Sequence, residues 1–237
     1  MKNILWTAAI FCLSTAPLSA QGFEGAEFGI SYTNLQFHDY PDGYIHIEGF
    51  LDAAYKLTPE FGVQVGLGYG DINGEYDDYN YSMLELHAFY DVNENFRAGL
   101  MTSYEDYYGE SYTFVAAEAV FTTGNMTFEA RAGRYFSKYE VSDMAALDVT
   151  YSINEKVDLL AVTQGWFYDD GGHYSNIAVG AAYNVVEDIE LYALVGLNES
   201  YAPLDWGMDK LDSVLIGARI NFGGGSNDRI FHYRPLF

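Results

Sequence analysis

The chain has 237 residues, a formal net charge of −23 and 49% hydrophobic residues. Such acidity argues against nucleic acid as a partner and against docking by charge onto anionic lipid. A content of 22 Tyr, 16 Phe and 24 Gly beside only 5 Pro favours strands over helices. The length then suits one large all-β domain.

Residues 1–20 have the features of a cleavable signal peptide. Lys2 supplies a positive start, and residues 4–13 form an apolar stretch too short to cross a bilayer as a helix. Ser19 and Ala20 offer a small-residue cleavage site. The single cysteine of the chain lies inside this segment, so we expect no disulfide and no thiolate chemistry in the exported protein.

Short polar turns recur at even spacing along the rest of the chain. Their central residues are Pro59, Glu94, Gly124, Glu155 and Glu187. With a strand start near residue 24 and a strand end at residue 222, these marks lie 30 to 35 residues apart. Each interval has room for a strand, a longer polar loop and a returning strand. Six such hairpins predict twelve strands, with ten and fourteen as alternatives.

Apolar and polar residues alternate within these strands. In residues 84–92 one face carries Leu84, Leu86, Ala88, Tyr90 and Val92, and the other carries Glu85, His87, Phe89 and Asp91. Residues 177–185, 189–197 and 213–222 repeat the pattern. Segments of roughly ten alternating residues are what a tilted strand needs to cross a bilayer, although a soluble secreted barrel or sandwich alternates in the same way.

Aromatic residues on the apolar face favour the membrane. One set lies beside the short turns and includes Tyr55, Phe61, Tyr90, Phe121 and Phe222, and a second set near the loops includes Tyr32, Tyr104, Phe136 and Phe167. Paired aromatic girdles match two lipid–water interfaces. A membrane-inserted sheet has to close on itself, because each backbone polar group needs a partner in lipid. The sequence therefore predicts a closed antiparallel transmembrane β-barrel over residues 21–222.

The chain resembles the porin-like outer-membrane β-barrel proteins of Gram-negative bacteria. The resemblance covers residues 24–222, and its most specific part is the ending Gly217-Ala218-Arg219-Ile220-Asn221-Phe222, similar to the assembly signal of a final strand. It implies export to the outer membrane, contact with outer-membrane lipid and lipopolysaccharide, and recognition by the barrel-assembly machinery. The candidate signal residues are Gly217, Ile220 and Phe222, or the terminal Phe237.

The polar face of the strands becomes the lumen if the apolar face meets lipid. Its charged and histidine residues are Glu27, His46, Glu48, Asp52, Lys56, Glu85, His87, Asp91, Arg97, Glu118, Glu129, Arg131, Asp148, Glu190 and Arg219. A barrel with such a lumen is predicted to be a channel for passive diffusion of small hydrophilic solutes. The excess of nine acids over four Lys and Arg predicts that this channel has a mild preference for cations. Pairing of the arginines with neighbouring carboxylates would instead close the interior and leave a structural or surface-interaction barrel.

A lipid hydrolase is the enzymatic alternative. The stretch from His173 to Asn176 resembles the His-x-Ser-Asn segment of outer-membrane lipid A deacylases and phospholipases. On a strand, His173 and Ser175 share a face, and Glu199 lies on the same face of the adjoining strand. These three residues are candidates for general base, nucleophile and orienting acid. No cofactor is expected, and no metal-ligand cluster is present in the sequence.

Residues 223–237 form a Gly-rich linker and a tail beyond the last predicted strand. The tail carries Arg229, His232 and Arg234 in an otherwise acidic protein. Two roles are open for it: folding back to plug the lumen, or contact with periplasmic partners. The sequence also leaves the solute and the oligomeric state open.

Overall fold

The computed structural model describes residues 22–37, 43–73, 78–107, 109–138, 141–169, 171–201, 208–222 and 231. Twelve strands account for nearly all of them: β1 (Phe23–Phe37), β2 (Gly43–Lys56), β3 (Phe61–Asn73), β4 (Asp78–Asn93), β5 (Phe96–Tyr107), β6 (Glu110–Thr123), β7 (Met126–Phe136), β8 (Val141–Asn154), β9 (Val157–Tyr168), β10 (His173–Val186), β11 (Ile189–Tyr201) and β12 (Met208–Phe222). Among the residues described, no helix is long and apolar enough to span a membrane. The predicted signal peptide lies outside the described residues.

The strands form one closed antiparallel barrel. Each strand pairs with its neighbours in the sequence, and β1 pairs with β12 to close the ring. The register of that seam runs from Ala26 opposite Phe222 to Phe37 opposite Leu211. Closure gives the edge strands partners for their backbone N–H and C=O groups. The predicted fold class, twelve strands and the end of the last strand at Phe222 are confirmed.

All five predicted short turns are present at one end of the barrel. Four of them contain two residues between strands, and the β2–β3 turn contains four. Gly124 adopts φ +57°, a conformation that suits glycine. The side-chain oxygen of Asn93 accepts a bond from the Asn95 amide at 2.9 Å, and Asn154 does the same for Lys156. Local Asx bonding therefore fixes these turns where the sequence placed them.

The strands are longer at the opposite end than the sequence predicts. They contain 11 to 16 residues, so the ladder continues into segments that the sequence analysis took as loops. The acidic segment 71–78, for example, is divided between β3, which ends at Asn73, and β4, which begins at Asp78. A hairpin that extends in this way gives its backbone polar groups partners, which an irregular loop would not.

Burial alternates along every strand and separates an outer from an inner face. The outer face exposes large apolar side chains, such as Leu100 at 66% and Val195 at 57% exposed, in the middle of their strands. Outward aromatics lie towards both ends, with Phe121 and Phe222 near the turns and Tyr104 and Phe167 near the loops. An apolar surface this continuous is unfavourable in water and suits hydrocarbon flanked by two interfaces.

Candidate functional site

The candidate site is the lumen, and the structure places all the predicted lumen residues on the inner face. Eleven are buried: Glu27, His46, Glu48, Asp52, Glu85, His87, Arg97, Glu118, Arg131, Glu190 and Arg219. Four are half-buried: Lys56, Asp91, Glu129 and Asp148. They share this face because residues two apart on a strand point to the same side.

One ionic cluster lies at the turn end of the lumen. Arg97 donates from Nε to Asp91 Oδ1 and from Nη2 to Glu24 Oε1, both at 2.7 Å. Lys56 also bonds Asp91, and its Nζ lies 3.8 Å from Glu24 Oε1. The guanidinium of Arg97 is stacked on the ring of Phe89, 3.8 Å from its centroid. The cluster joins β1, β2, β4 and β5 across the lumen wall.

A second cluster is centred on His87. Its Nδ1 lies 2.8 Å from Glu118 Oε1, and its Nε2 lies 3.6 Å from Glu85 Oε2. Arg131 approaches the other oxygen of Glu118 at 3.8 Å and donates to Glu129 at 3.4 Å. These contacts compensate the charge of deeply buried groups that water reaches poorly.

A third cluster lies at the seam where the barrel closes. Arg219 on β12 donates from Nε to Glu190 Oε1 on β11 at 2.7 Å, and its Nη1 lies 3.5 Å from Glu27 Oε2 on β1. The lumen arginines in the described part of the chain, Arg97, Arg131 and Arg219, are therefore all paired with carboxylates. The pairing that the sequence left as an alternative is present.

The acidic side chains are concentrated on one wall. Glu48 and Asp52 on β2 and Glu85 on β4 lie within the same patch, and Asp52 Oδ1 accepts a bond from Gln64 Nε2 at 3.4 Å. Within the part of the chain that the structure describes, no lysine or arginine forms an ion pair with Glu48 or Asp52. The patch therefore concentrates carboxyl groups on this part of the wall.

The opposite wall carries an apolar cluster, which the sequence reasoning missed. Strands β9 to β12 direct a packed cluster into the lumen, made of Leu160, Val162, Ala178, Ala182, Tyr192, Leu194 and Leu215. A second inward cluster, of Met101, Phe114, Ala116, Tyr135 and Met144, lies nearer the loop end. The signal was available, because Leu194 and Leu215 interrupt the polar face of their strands.

Phe231, the one residue beyond the last strand that the structure describes, also lies in the lumen. Phe231 is fully buried and packs with Ala54, Phe89 and Val120. Both backbone polar groups of Phe231 bond the side-chain amide of Gln64. Sequence reasoning considered a plug but singled out the charged residues of the tail, and gave no role to Phe231 or Gln64.

The candidate hydrolase residues lie together at the loop end of the outer face. Ser175 is opposite Glu199 in the β10–β11 ladder, and His173 is opposite Tyr201. Glu199 forms an ion pair with Lys210, whose Nζ lies 2.9 Å from Glu199 Oε1. The His173 ring stacks on Tyr201 with centroids 5.4 Å apart. The structure thus brings Ser175 and Glu199 into register but gives Glu199 a lysine partner.

The candidate assembly residues Gly217, Ile220 and Phe222 all belong to β12. At Gly217 a Cβ would overlap the Tyr192 ring, so glycine is needed for close approach at that position. Phe237 lies outside the described residues. Among the residues that are described, no group of three or more His, Cys, Asp or Glu could hold a metal ion.

No family model matches the chain, and no curated protein matches it. Solved structures match most of its length. The COG4313 outer membrane channel from Pseudomonas putida F1 is 15% identical with a TM-score of 0.65, covering 88% of this chain and 100% of that chain. The NanC porin is 12% identical with a TM-score of 0.61, covering 81% and 98%. The KdgM porin, solved in complex with disordered oligogalacturonate, is 12% identical with a TM-score of 0.56, covering 82% and 99%.

At identities of 12% to 15%, the shared property is the fold. The chain therefore has the fold of the porin-like outer-membrane β-barrel proteins.

Proposed function

We propose that the protein is an outer-membrane channel for passive diffusion of small hydrophilic solutes, with a preference for cations. The observation that carries the proposal is a closed barrel whose inner wall holds Glu48, Asp52 and Glu85 in one acidic patch. Acidic groups that line a narrow passage attract cations and repel anions. The three lumen arginines are paired with other carboxylates, so they do not neutralise Glu48 or Asp52.

The same proposal places the short turns and the N-terminus in the periplasm. The proposal includes export through the signal peptide and insertion by the barrel-assembly machinery. It also expects contact with lipopolysaccharide around the loop end. The continuous apolar exterior supports a bilayer location, because hydrocarbon is the solvent in which such a surface is stable.

The test is single-channel conductance of the refolded protein in a planar bilayer, with reversal potentials under a salt gradient. Because Phe231 occupies part of the lumen, the wild type and a Phe231→Ala variant are both measured. We expect discrete openings and a reversal potential on the cation side. The double variant Glu48→Gln, Glu85→Gln in the Phe231→Ala background should move that potential towards zero, because two lumen charges are lost.

The matched control is Glu187→Gln, which removes one carboxylate from an exposed periplasmic turn. It should leave the reversal potential unchanged, since a charge outside the lumen is screened by salt. Silence from both correctly inserted wild type and Phe231→Ala would contradict the channel and favour a closed structural barrel. An unchanged potential in the double variant would contradict cation selection by this patch.

A further inference from the structure

Phe231 makes its backbone contacts with a single side chain of the barrel. Its amide N–H donates to Gln64 Oε1 at 3.0 Å, and its carbonyl accepts from Gln64 Nε2 at 2.7 Å. Gln64 is 1% exposed, so its amide lies where water is scarce and unmet hydrogen bonds are costly. The side-chain amide of Gln64 thus hydrogen-bonds both the N–H and the C=O of a single residue.

The side chain of Phe231 fits an aromatic slot. Its ring is parallel to the His87 ring within 4°, with centroids 5.8 Å apart, and meets the Phe89 ring edge-on at 6.3 Å. Both arrangements are favourable for aromatic pairs. At Gly99 a Cβ would lie 3.1 Å from Cζ of Phe231, so the absence of a side chain there leaves room for the ring.

The walls of this slot are held by contacts that do not involve Phe231. Glu118 fixes the His87 ring through Nδ1 at 2.8 Å, and the Arg97 guanidinium is stacked on Phe89 at 3.8 Å. These partners belong to strands β4, β5 and β6, which the barrel ladder holds in register. A site whose walls are preorganised in this way binds its occupant at a lower entropic cost.

The slot lies in the half of the lumen nearer the short turns. Gln64 is three residues from the start of β3, and Phe89 is four residues from the end of β4. Phe231 follows the end of β12, at the same end of the barrel, by nine residues. Its ring therefore narrows the periplasmic half of the lumen, on the wall that faces the apolar cluster of β9 to β12.

We propose that Gln64, His87 and Phe89 form a binding site for an N-acylated aromatic amino-acid unit, and that Phe231 occupies this site as an intramolecular stopper of the channel. The role of Phe231 as a stopper rests on the proposed channel function, whereas the binding site does not depend on that function. A free acylated aromatic amino-acid amide presents the same N–H, C=O and ring, and so competes for the same contacts.

The first test compares conductance of the full-length wild type and Phe231→Ala. The substitution removes the ring that narrows the lumen, so we expect a several-fold higher conductance or open probability. It also deprives His87 and Phe89 of their stacking partner. Gln64→Ala should have the same effect from the barrel side, because it removes both bonds to the Phe231 backbone. The control is Phe114→Ala, which removes another fully buried inward ring that packs on Tyr135 instead. It should leave the Phe231-dependent block in place.

The second test adds a ligand to Phe231→Ala. N-acetyl-phenylalaninamide should restore the block in a concentration-dependent way, because it supplies the missing ring with two backbone amides. N-acetyl-alaninamide, which lacks the ring, should have no effect at the same concentrations. In the double variant Phe231→Ala, Gln64→Ala, the aromatic compound should fail as well, which would place its binding at Gln64.

A readout that needs no conductance is hydrogen exchange of the Phe231 amide. Its bond to a buried side chain predicts slow exchange in the wild type and fast exchange in Gln64→Ala. Equal conductance of wild type and Phe231→Ala would overturn the stopper and leave the channel standing. If neither the wild type nor Phe231→Ala conducts, the channel is contradicted. Slow exchange of the Phe231 amide then tests the binding site by itself. Fast exchange in the wild type would overturn the site.

Discussion

Arg97 shows how single residues stabilise the inside of this barrel. Its guanidinium is 1% exposed, donates to Asp91 and Glu24, and covers the ring of Phe89. In Arg97→Ala, Asp91 and Glu24 lose the guanidinium and keep only Lys56 as a cationic partner in a poorly hydrated lumen. Because breaking a buried pair is costly, we expect the free energy of unfolding to fall by about 3 kcal/mol. Denaturant titration of the barrel in lipid vesicles measures this loss.

The matched control for that substitution is Arg134→Ala. Arg134 donates to both oxygens of Asp143, at 2.7 and 2.9 Å, but the two side chains are 50% and 53% exposed. Exposed pairs contribute little, so the expected loss is much smaller than that of Arg97→Ala. Similar losses for the two variants would mean that the lumen around Arg97 is well hydrated.

At the scale of the strand, alternation decides which solvent each residue meets. Val195 lies in the middle of β11 and points outward, with 57% of its surface exposed. If the outer face meets hydrocarbon, Val195→Arg should lower the free energy of unfolding in vesicles by about 2–4 kcal/mol. The cost arises because the charge lies at the depth where the bilayer offers no water.

The corresponding substitution near the interface is Val186→Arg. Val186 is 55% exposed and lies beside the turn at the end of β10, so its expected cost is about 0–1 kcal/mol. The difference between the two positions is the informative quantity. A soluble secreted barrel, which the sequence left as an alternative, would tolerate arginine equally well at both.

At the scale of the whole molecule, the channel and the lipid hydrolase place their chemistry on opposite sides of the barrel wall. The channel uses the inner face, whereas Ser175, His173 and Glu199 lie outside at the loop end. Glu199 is engaged by Lys210 and His173 stacks on Tyr201. We therefore expect Ser175→Ala to leave both conductance and phospholipid turnover at the wild-type level. Lipid hydrolysis that disappears in Ser175→Ala would instead establish the hydrolase.

Local features of the sequence are sufficient to predict the strand pattern. Successive side chains of a strand point to opposite faces. The burial of Glu85 or Leu86 therefore depends on whether its position within the strand is odd or even. The polar turns at residues 94, 124, 155 and 187 are local too, because Asx bonds and a left-handed glycine act over two or three residues. Twelve strands and an acidic inner face follow from features of this range.

The contacts among the inner residues, in contrast, join distant parts of the chain. Arg97 bonds Glu24 across 73 positions of sequence, and Arg219 reaches Glu27 across 192. The Arg219 contact depends on the register of the seam between β1 and β12, and the Arg97 contact depends on the closed wall that brings β5 opposite the start of β1. No local pattern contains either of them. The place of Phe231 against Gln64 was hidden for the same reason, since a residue beyond the last strand has no periodicity to locate it. Long-range closure, rather than local preference, creates the Arg97–Glu24 and Arg219–Glu27 contacts and the occupied slot in the lumen.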